Sequence, residues 1–352
     1  MVRVLLAEDS AVQREMFAYI LEQESDFELV GTAVDGAEAV RLTKTLRPDI
    51  LIMDFHMPKL NGLQATGLIM DECPTPIVVV TASFVPEEVG LSFETIKAGA
   101  LAVIAKPSAP GTARYDHEVS QLVNTVRLMA EVKVVGRRRK VSASPMSTVT
   151  NRALAQPPDS KYQVLAIAGS TGAPAVIADI LLALATKLTV PALVVQHISI
   201  GFGPGFAQWI GQKTQLPTYM GAEGVMTTQG SIYIAPDNQQ MGIDSYGRIR
   251  LKPGAANDTF CPSADDLFRS IARSYGRYAI GVLLTGMGRD GASGLLAMRE
   301  AGALTAVQDE ESSIVFGMPR EAFLMGAASH VLPPAGLVEL IASVLPAPAS
   351  KF

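Results

Sequence analysis

Short, almost unbroken apolar runs alternate with helix-length amphipathic stretches, and this constrains the chain more than any other feature. The alternation occurs twice. The first set of runs is VRVLLA, ELVGTAV, DILIMD, PIVVVTA and ALAVIAK, starting at Val2, Glu28, Asp49, Pro76 and Ala100. Between them stand AVQREMFAYILEQ, AEAVRLTKTL, GLQATGLIMDE and a segment from Glu87 to Ala98. Runs this short and this apolar read as strands buried on both faces, and strands separated by helices pair in parallel. The second set is QVLAIAG, ALVVQH, SIYIAP, AIGVLLTG, ALTAVQ and HVLP, starting at Gln163, Ala192, Ser231, Ala279, Ala303 and His330. The fold class expected is therefore α/β, with two doubly wound, mainly parallel sheets in succession. Such sheets bind ligands beyond the carboxyl ends of their strands, so the residues standing there are the ones to read for chemistry.

Charge marks where the two halves divide. Residues 1–130 hold 10 basic and 18 acidic side chains, net −8; residues 131–161 hold 7 and 2, net +5; residues 162–352 hold 12 and 14, net −2. The middle stretch, with its GRRRK, SASPMST and AQPPDSK segments, is basic, rich in Pro and Ser, and without apolar periodicity. It reads as a linker, giving domains over 1–130 and 162–346. The overall charge of −5 argues against nucleic acid as a partner. The longest apolar run, Val176 to Ala185, is broken by Asp179 and falls short of the ~18 residues of a membrane span. The start, MVRVLLAED, reaches two acids too early for a signal peptide. Two cysteines, Cys73 and Cys261, make no disulfide framework and no zinc motif. A cytoplasmic protein, not inserted in a membrane, is expected.

In the first half, Glu8 and Asp9 end the first strand, Asp54 the third, Thr81 the fourth, and Lys106 with Pro107 the fifth. Three carboxylates at one sheet edge repel unless a divalent cation sits among them, and hard oxygen ligands suit Mg²⁺. A cation there would leave Asp54 as a nucleophile toward phosphorus and Lys106 as its counter-charge. The bland reading makes each acid a helix cap. This constellation, with MDFHMPKLNG around Asp54 and AKP at Lys106, resembles the receiver domain of bacterial two-component response regulators, a flavodoxin-like (βα)5 fold. The resemblance implies phosphorylation of Asp54 by a sensor histidine kinase. It also implies Mg²⁺ held by Asp9, Asp54 and the backbone carbonyl of His56, with Glu8 behind them and Thr81 and Lys106 in support. At the position where receivers carry a switching aromatic, three residues before the lysine, this chain has Val103, and His56 puts a protonatable side chain at the mouth of the site.

In the second half, three strand ends carry Ser170, His197 and Asp290. Ser170 stands in a glycine-flanked turn between a strand and a helix, the setting of a nucleophile whose oxyanion would face free backbone N–H groups. His197 runs into the glycine-rich ISIGFGPG, and Asp290 lies in MGRDGASGL. Separately, Ser170 reads as a helix N-cap and Asp290 as a turn acid or cap. Together they supply a nucleophile, a base and the acid that orients the base. Cys261 is a rival nucleophile but reads better as a packing residue, and His117 and His330 as a helix-start and a strand-start residue. Trp209 and Phe206 read as core or cleft wall. The segments GSTGAP, QHI, GSIYIAPDNQQM, CPSADDLFRS, LLTGMGRDGASGLLAMREAGA and VFGMPREA closely resemble the catalytic domain of chemotaxis protein-glutamate methylesterases. The resemblance implies Ser170, His197 and Asp290 as the triad, with Thr171 and the Met287 backbone N–H at the oxyanion. It implies hydrolysis of γ-glutamyl methyl esters, and deamidation of glutamines, on chemoreceptors, with no cofactor for the esterase step. The alternative is a silent receiver-bearing adaptor that binds receptors without hydrolysis. Where the family has a second glycine in the serine loop, this chain has Ala173, so a slightly stiffer turn is expected.

Overall fold

A computed structural model describes residues 1–132, 134, 162–255 and 258–346, so the expected linker over 131–161 lies almost wholly outside the described residues. The first unit runs β1 (Val2–Ala7), α1 (Ala11–Glu22), β2 (Phe27–Ala33), α2 (Gly36–Leu46), β3 (Ile50–Asp54), α3 (Gly62–Glu72), β4 (Ile77–Thr81), α4 (Pro86–Ala98), β5 (Ala102–Ala105) and α5 (Tyr115–Ala130). Its five strands are ordered β2-β1-β3-β4-β5 and are parallel throughout. The apolar runs are buried on both faces. Val4, Leu6, Ile50, Ile52, Val78 and Val80 pack with Phe17, Leu122 and Val126 of α1 and α5. Leu5, Leu51, Met53 and Val79 pack with α2, α3 and α4. Local caps start the helices: Ser10 accepts from the Gln13 N–H, Asp35 from Glu38, and Asn61 forms a reciprocal box with Gln64.

The second unit runs β6 (Val164–Gly169), α6 (Ala173–Leu184), β7 (Ala192–Gln196), α7 (Gly203–Thr214), β8 (Thr218–Met220), β9 (Ile232–Ile234), β10 (Gln239–Ile243), β11 (Ile249–Pro253), α8 (Ala264–Tyr275), β12 (Ala279–Leu283), α9 (Ala292–Glu300), β13 (Leu304–Gln308), α10 (Met318–Leu324), β14 (His330–Leu332) and α11 (Pro334–Val344). Its seven-stranded parallel sheet is ordered β14-β13-β12-β6-β7-β9-β8. The chain leaves the central strand β6 toward β7 on one side and returns to β12 on the other, which opens a crevice beyond the carboxyl ends of these three. Register aligns those ends: Gly169 pairs with Gln196, and Ala168 with Leu283.

Three strands escaped the reading of the sequence. β10 and β11 form an antiparallel hairpin beside the main sheet, and β8 adds a short edge strand. The hairpin is half exposed and carries Gln239, Gln240, Arg250 and Lys252, so it lacks the continuous apolar run that marks the other strands. Its turn was the available signal: Asp244 accepts from the N–H groups of Tyr246 and Arg248, and Gly247 has φ +81°.

The units meet where α4 packs on α7. Phe93 is buried against Phe202, Phe206 and Trp209, with centroids 6.5, 5.3 and 5.4 Å away. Trp209 Nε1 donates to Glu94 Oε1 at 2.6 Å, and the Ala105 N–H donates to Ser199 Oγ at 3.1 Å. Glycine lets the helices approach: a Cβ on Gly205 would stand 2.6 Å from Val89 Cβ and 2.8 Å from the Pro86 carbonyl oxygen. Gly205→Val should therefore unseat α4 from α7. A larger radius of gyration by small-angle scattering, with an unchanged far-ultraviolet circular dichroism spectrum, is the expected result; an unchanged radius would show that these helices do not hold the units together.

Candidate active site

Beyond β1, β3 and β5 the acids converge. One carboxylate oxygen from each of Glu8, Asp9 and Asp54 lies within 4.8 Å of the others, with Glu8 and Asp54 buried and Asp9 exposed. Lys106 Nζ stands 2.7 Å from Glu8 Oε2 and 3.0 Å from Asp54 Oδ2. Burial pushes the Glu8 and Asp54 carboxyls up from their ordinary range, Lys106 opposes this, and a neighbouring carboxylate adds to it in each case. One ammonium cannot neutralise three carboxylates, so this all-oxygen cluster has the charge and donor set for a hard divalent cation. The caps lie elsewhere, since Ser10 caps α1. Thr81 Oγ1 accepts from the Ser83 N–H at 3.2 Å, and Val103 is buried in register with Val79. The His56 side chain is half exposed and 3.7 Å from Glu88 Oε2.

In the second sheet, β6, β7 and β12 deliver Ser170, His197 and Asp290 to one crevice. His197 Nε2 is 2.9 Å from Asp290 Oδ2. The Asp290 carboxylate also accepts from Ser263 Oγ at 2.7 Å and from the N–H groups of Ala264 and Asp265 at 2.7 and 3.1 Å. Asp290 is thus a cap as well, on the first turn of α8 rather than of its own helix. Burial pushes its carboxyl up, but the bonds from His197, Ser263 and Ala264 outweigh burial and hold it below the ordinary range. A carboxylate on Nε2 fixes the proton there, which leaves Nδ1 as the basic nitrogen. Nδ1 is buried and has no hydrogen-bond partner among the described residues. Phe260 stacks on the imidazole, centroids 4.7 Å apart and planes 3° apart, and fixes the ring plane.

Ser170 is held by its backbone. Its N–H donates to the Thr285 carbonyl at 3.0 Å, and its own carbonyl accepts from Ala173 N–H and Gln196 Nε2 at 3.1 and 2.8 Å. The cap of α6 is Gly172, at φ +80°, with no side-chain cap, so the Ser170 hydroxyl is not consumed in capping. Gly286 crosses directly behind: a Cβ there would lie 2.7 Å from Ser170 Cβ. Thr285 Oγ1 donates to the Thr171 carbonyl and accepts from the Val315 N–H, tying the serine loop to β12. The N–H groups of Thr171 and Met287 are unpaired among the described residues, and the Met287 side chain is half exposed at the crevice. Ala173 is fully buried, and a Cβ on Gly169 would lie 2.3 Å from its methyl.

Ser170, Thr171, His197, Phe260, Cys261 and Met287 line a cavity of about 850 Å³ whose other wall is the first unit, including Lys106 and His117. The Cys261 thiol is pushed up by burial and by the nearby Asp258 and Asp266, which disfavours a thiolate. Trp209 and Phe206 belong to the seam between the units rather than to this cavity, and His330 lies at the amino end of β14, away from it. Sequence reasoning missed Gln196, Phe260, Ser263 and Thr285. Ser263 alone had a local signal, a serine placed before an amphipathic run.

A family model for the CheB methylesterase matches residues 165–341, and one for the response regulator receiver domain matches residues 4–114. The chain is 42% identical to protein-glutamate methylesterase/protein-glutamine glutaminase 1 of Syntrophus aciditrophicus, an alignment covering 98% of this chain and 100% of that one. It is also 42% identical to the protein-glutamate methylesterase/protein-glutamine glutaminase of Nitrosospira multiformis, over 98% of this chain and 96% of that one. The crystal structure of the Thermotoga maritima CheB methylesterase catalytic domain superposes with a TM-score of 0.50 at 28% identity, covering 53% of this chain and all of that one. These likenesses extend through both units and speak for an enzyme over a silent adaptor. The chain belongs to the CheB methylesterase family and is a protein-glutamate methylesterase/protein-glutamine glutaminase with an N-terminal response regulator receiver domain.

Proposed function

We propose that Ser170 is the nucleophile, His197 the base and Asp290 its orienting acid in hydrolysis of γ-glutamyl methyl esters, and in deamidation of glutamines, on the cytoplasmic helices of chemoreceptors. The observation that carries this reading is the pairing of Asp290 with His197 Nε2, which leaves Nδ1 without a hydrogen-bond partner among the described residues, on a ring that lines the same cavity as Ser170. Nδ1 takes the Ser170 proton as Oγ adds to the γ-carbonyl. The N–H groups of Thr171 and Met287 receive the oxyanion, aided by the amino end of α6. The proton on His197 then goes to the departing methoxide or ammonia, and water attacks the acyl-serine by the reverse path. No cofactor enters these steps.

The domains are read as 1–130 and 162–346, with a linker over 131–161. The receiver would take phosphate from a sensor histidine kinase on Asp54. Asp9, Asp54 and the His56 carbonyl would hold Mg²⁺ with Glu8 behind them; the ion would neutralise phosphoryl oxygens, while Lys106 pairs with the phosphorylated Asp54 and the Thr81 hydroxyl turns toward it. Because the receiver forms one wall of the esterase cavity, a phosphate that favours its release by a few kcal/mol opens the crevice to a receptor helix.

Methanol release from radiomethylated receptor membranes tests the esterase assignment. Wild type should release methanol faster with acetyl phosphate, and Ser170→Ala should lose ~10⁴-fold or more; activity surviving in Ser170→Ala would end the assignment. Acetyl phosphate with Mg²⁺ should label wild type and leave Asp54→Asn unlabelled, so equal labelling would remove Asp54 from its role. The depressed Asp290 carboxyl contributes stability that is complete above the ordinary carboxylate range and disappears as pH falls through its folded value. The stability gap between wild type and Asp290→Asn should therefore be full above about pH 4 and close below it, as measured by urea unfolding across pH. A gap that is constant with pH would show that Asp290 is not held ionised.

A further inference from the structure

Gln196 ends β7 next to His197 and is only 4% exposed. Its Nε2 donates to the Ser170 carbonyl at 2.8 Å and to the His197 carbonyl at 3.0 Å, so one amide clamps the nucleophile's loop to that of the base. Two carbonyl partners leave no choice of orientation: turning the amide over would set Oε1 against two acceptors. Oε1 is thereby fixed as an acceptor, yet it is buried with no hydrogen-bond partner among the described residues. His197 Nδ1 is the other buried orphan of this region, and with Nε2 committed to Asp290 it too is an acceptor. Both residues line the same cavity. Buried acceptors without donors are costly, so such a pair marks a place where a donor binds.

We propose that Gln196 Oε1 and His197 Nδ1 together hold the water that hydrolyses the acyl-enzyme. Water is the molecule with two O–H donors on one nucleophilic oxygen. With one O–H on Oε1 and the other on Nδ1, its lone pair is free to point at the acyl carbon. The water oxygen bonds to that carbon as Nδ1 takes its proton. The carbon–Oγ bond then breaks, and the proton passes to Ser170 Oγ, releasing a glutamate side chain and the free serine. The inference rests on the assignment of Ser170 and His197, and it concerns the second half of the reaction, not the first.

The test uses the full chain with acetyl phosphate on radiomethylated receptor membranes. Gln196→Met keeps the length and removes the acceptor together with the two N–H donors; Gln196→Asn keeps the amide but draws its oxygen back from the water. For Gln196→Met the expected result is one rapid methanol per enzyme, then a steady rate about 10- to 100-fold below wild type. Acid-quenched samples should show an enzyme–receptor adduct on denaturing gels, and hydroxylamine, a stronger nucleophile, should discharge it and restore methanol release. A slow rate with neither burst nor adduct would overturn the proposal, as would an unchanged rate. If Gln196→Met does not fold, as judged by its melting curve, Gln196→Asn decides alone: a burst followed by a slowed steady rate supports the inference, and a loss without a burst, or an unchanged rate, overturns it. Methanol release from Ser170→Ala would instead strike at the underlying assignment, so the two failures are distinguishable.

Discussion

The Asp290 carboxylate is the interaction on which the esterase site depends. It accepts four hydrogen bonds, from His197, Ser263, Ala264 and Asp265, and so joins the loop after β12 to the start of α8 and to the imidazole after β7. A buried carboxylate is costly unless its oxygens are satisfied, and here they are satisfied by the groups it must position. The helix end gains a negative charge where its dipole favours one. The imidazole gains a fixed orientation, with Nε2 on the carboxylate and Nδ1 without a hydrogen-bond partner among the described residues. Phe260 adds a flat surface that holds the ring plane.

A similar economy holds the two units together. Phe93 and Trp209 are buried in the seam, and Gly205 lets α4 and α7 approach closely. The Ala105 N–H that bonds Ser199 belongs to the strand just before Lys106, and Lys106 contacts both Asp54 and the cavity wall. Asp54 and the cavity are therefore joined through a single side chain, Lys106, while Val103 is packed into the sheet.

Much of this could be read in the sequence. Continuous apolar runs separated by amphipathic stretches can bury both faces only in a parallel sheet, and residues just past such runs stand at the carboxyl edge; that placed Glu8, Asp9, Asp54, Ser170, His197 and Asp290. The hairpin of β10 and β11 was illegible because only one face is buried, through Met241, Ile243 and Ile249, so its apolar residues alternate with others and form no continuous run. Gln196 and Thr285 were illegible for a different reason: a buried polar residue acquires its meaning from partners far away in sequence.

By itself, then, the sequence determined which chemistries are present and at which strand ends, because strand order along the chain and the burial of short apolar runs are local properties. Only the tertiary structure decided which nitrogen of His197 pairs with Asp290, that Asp290 caps α8 across the crevice, that Gly172 rather than Ser170 caps α6, and that the first unit walls the second's site. Those are matters of which groups meet across tens or hundreds of residues. They are settled by the packing of sheets and helices against one another, which no local pattern encodes.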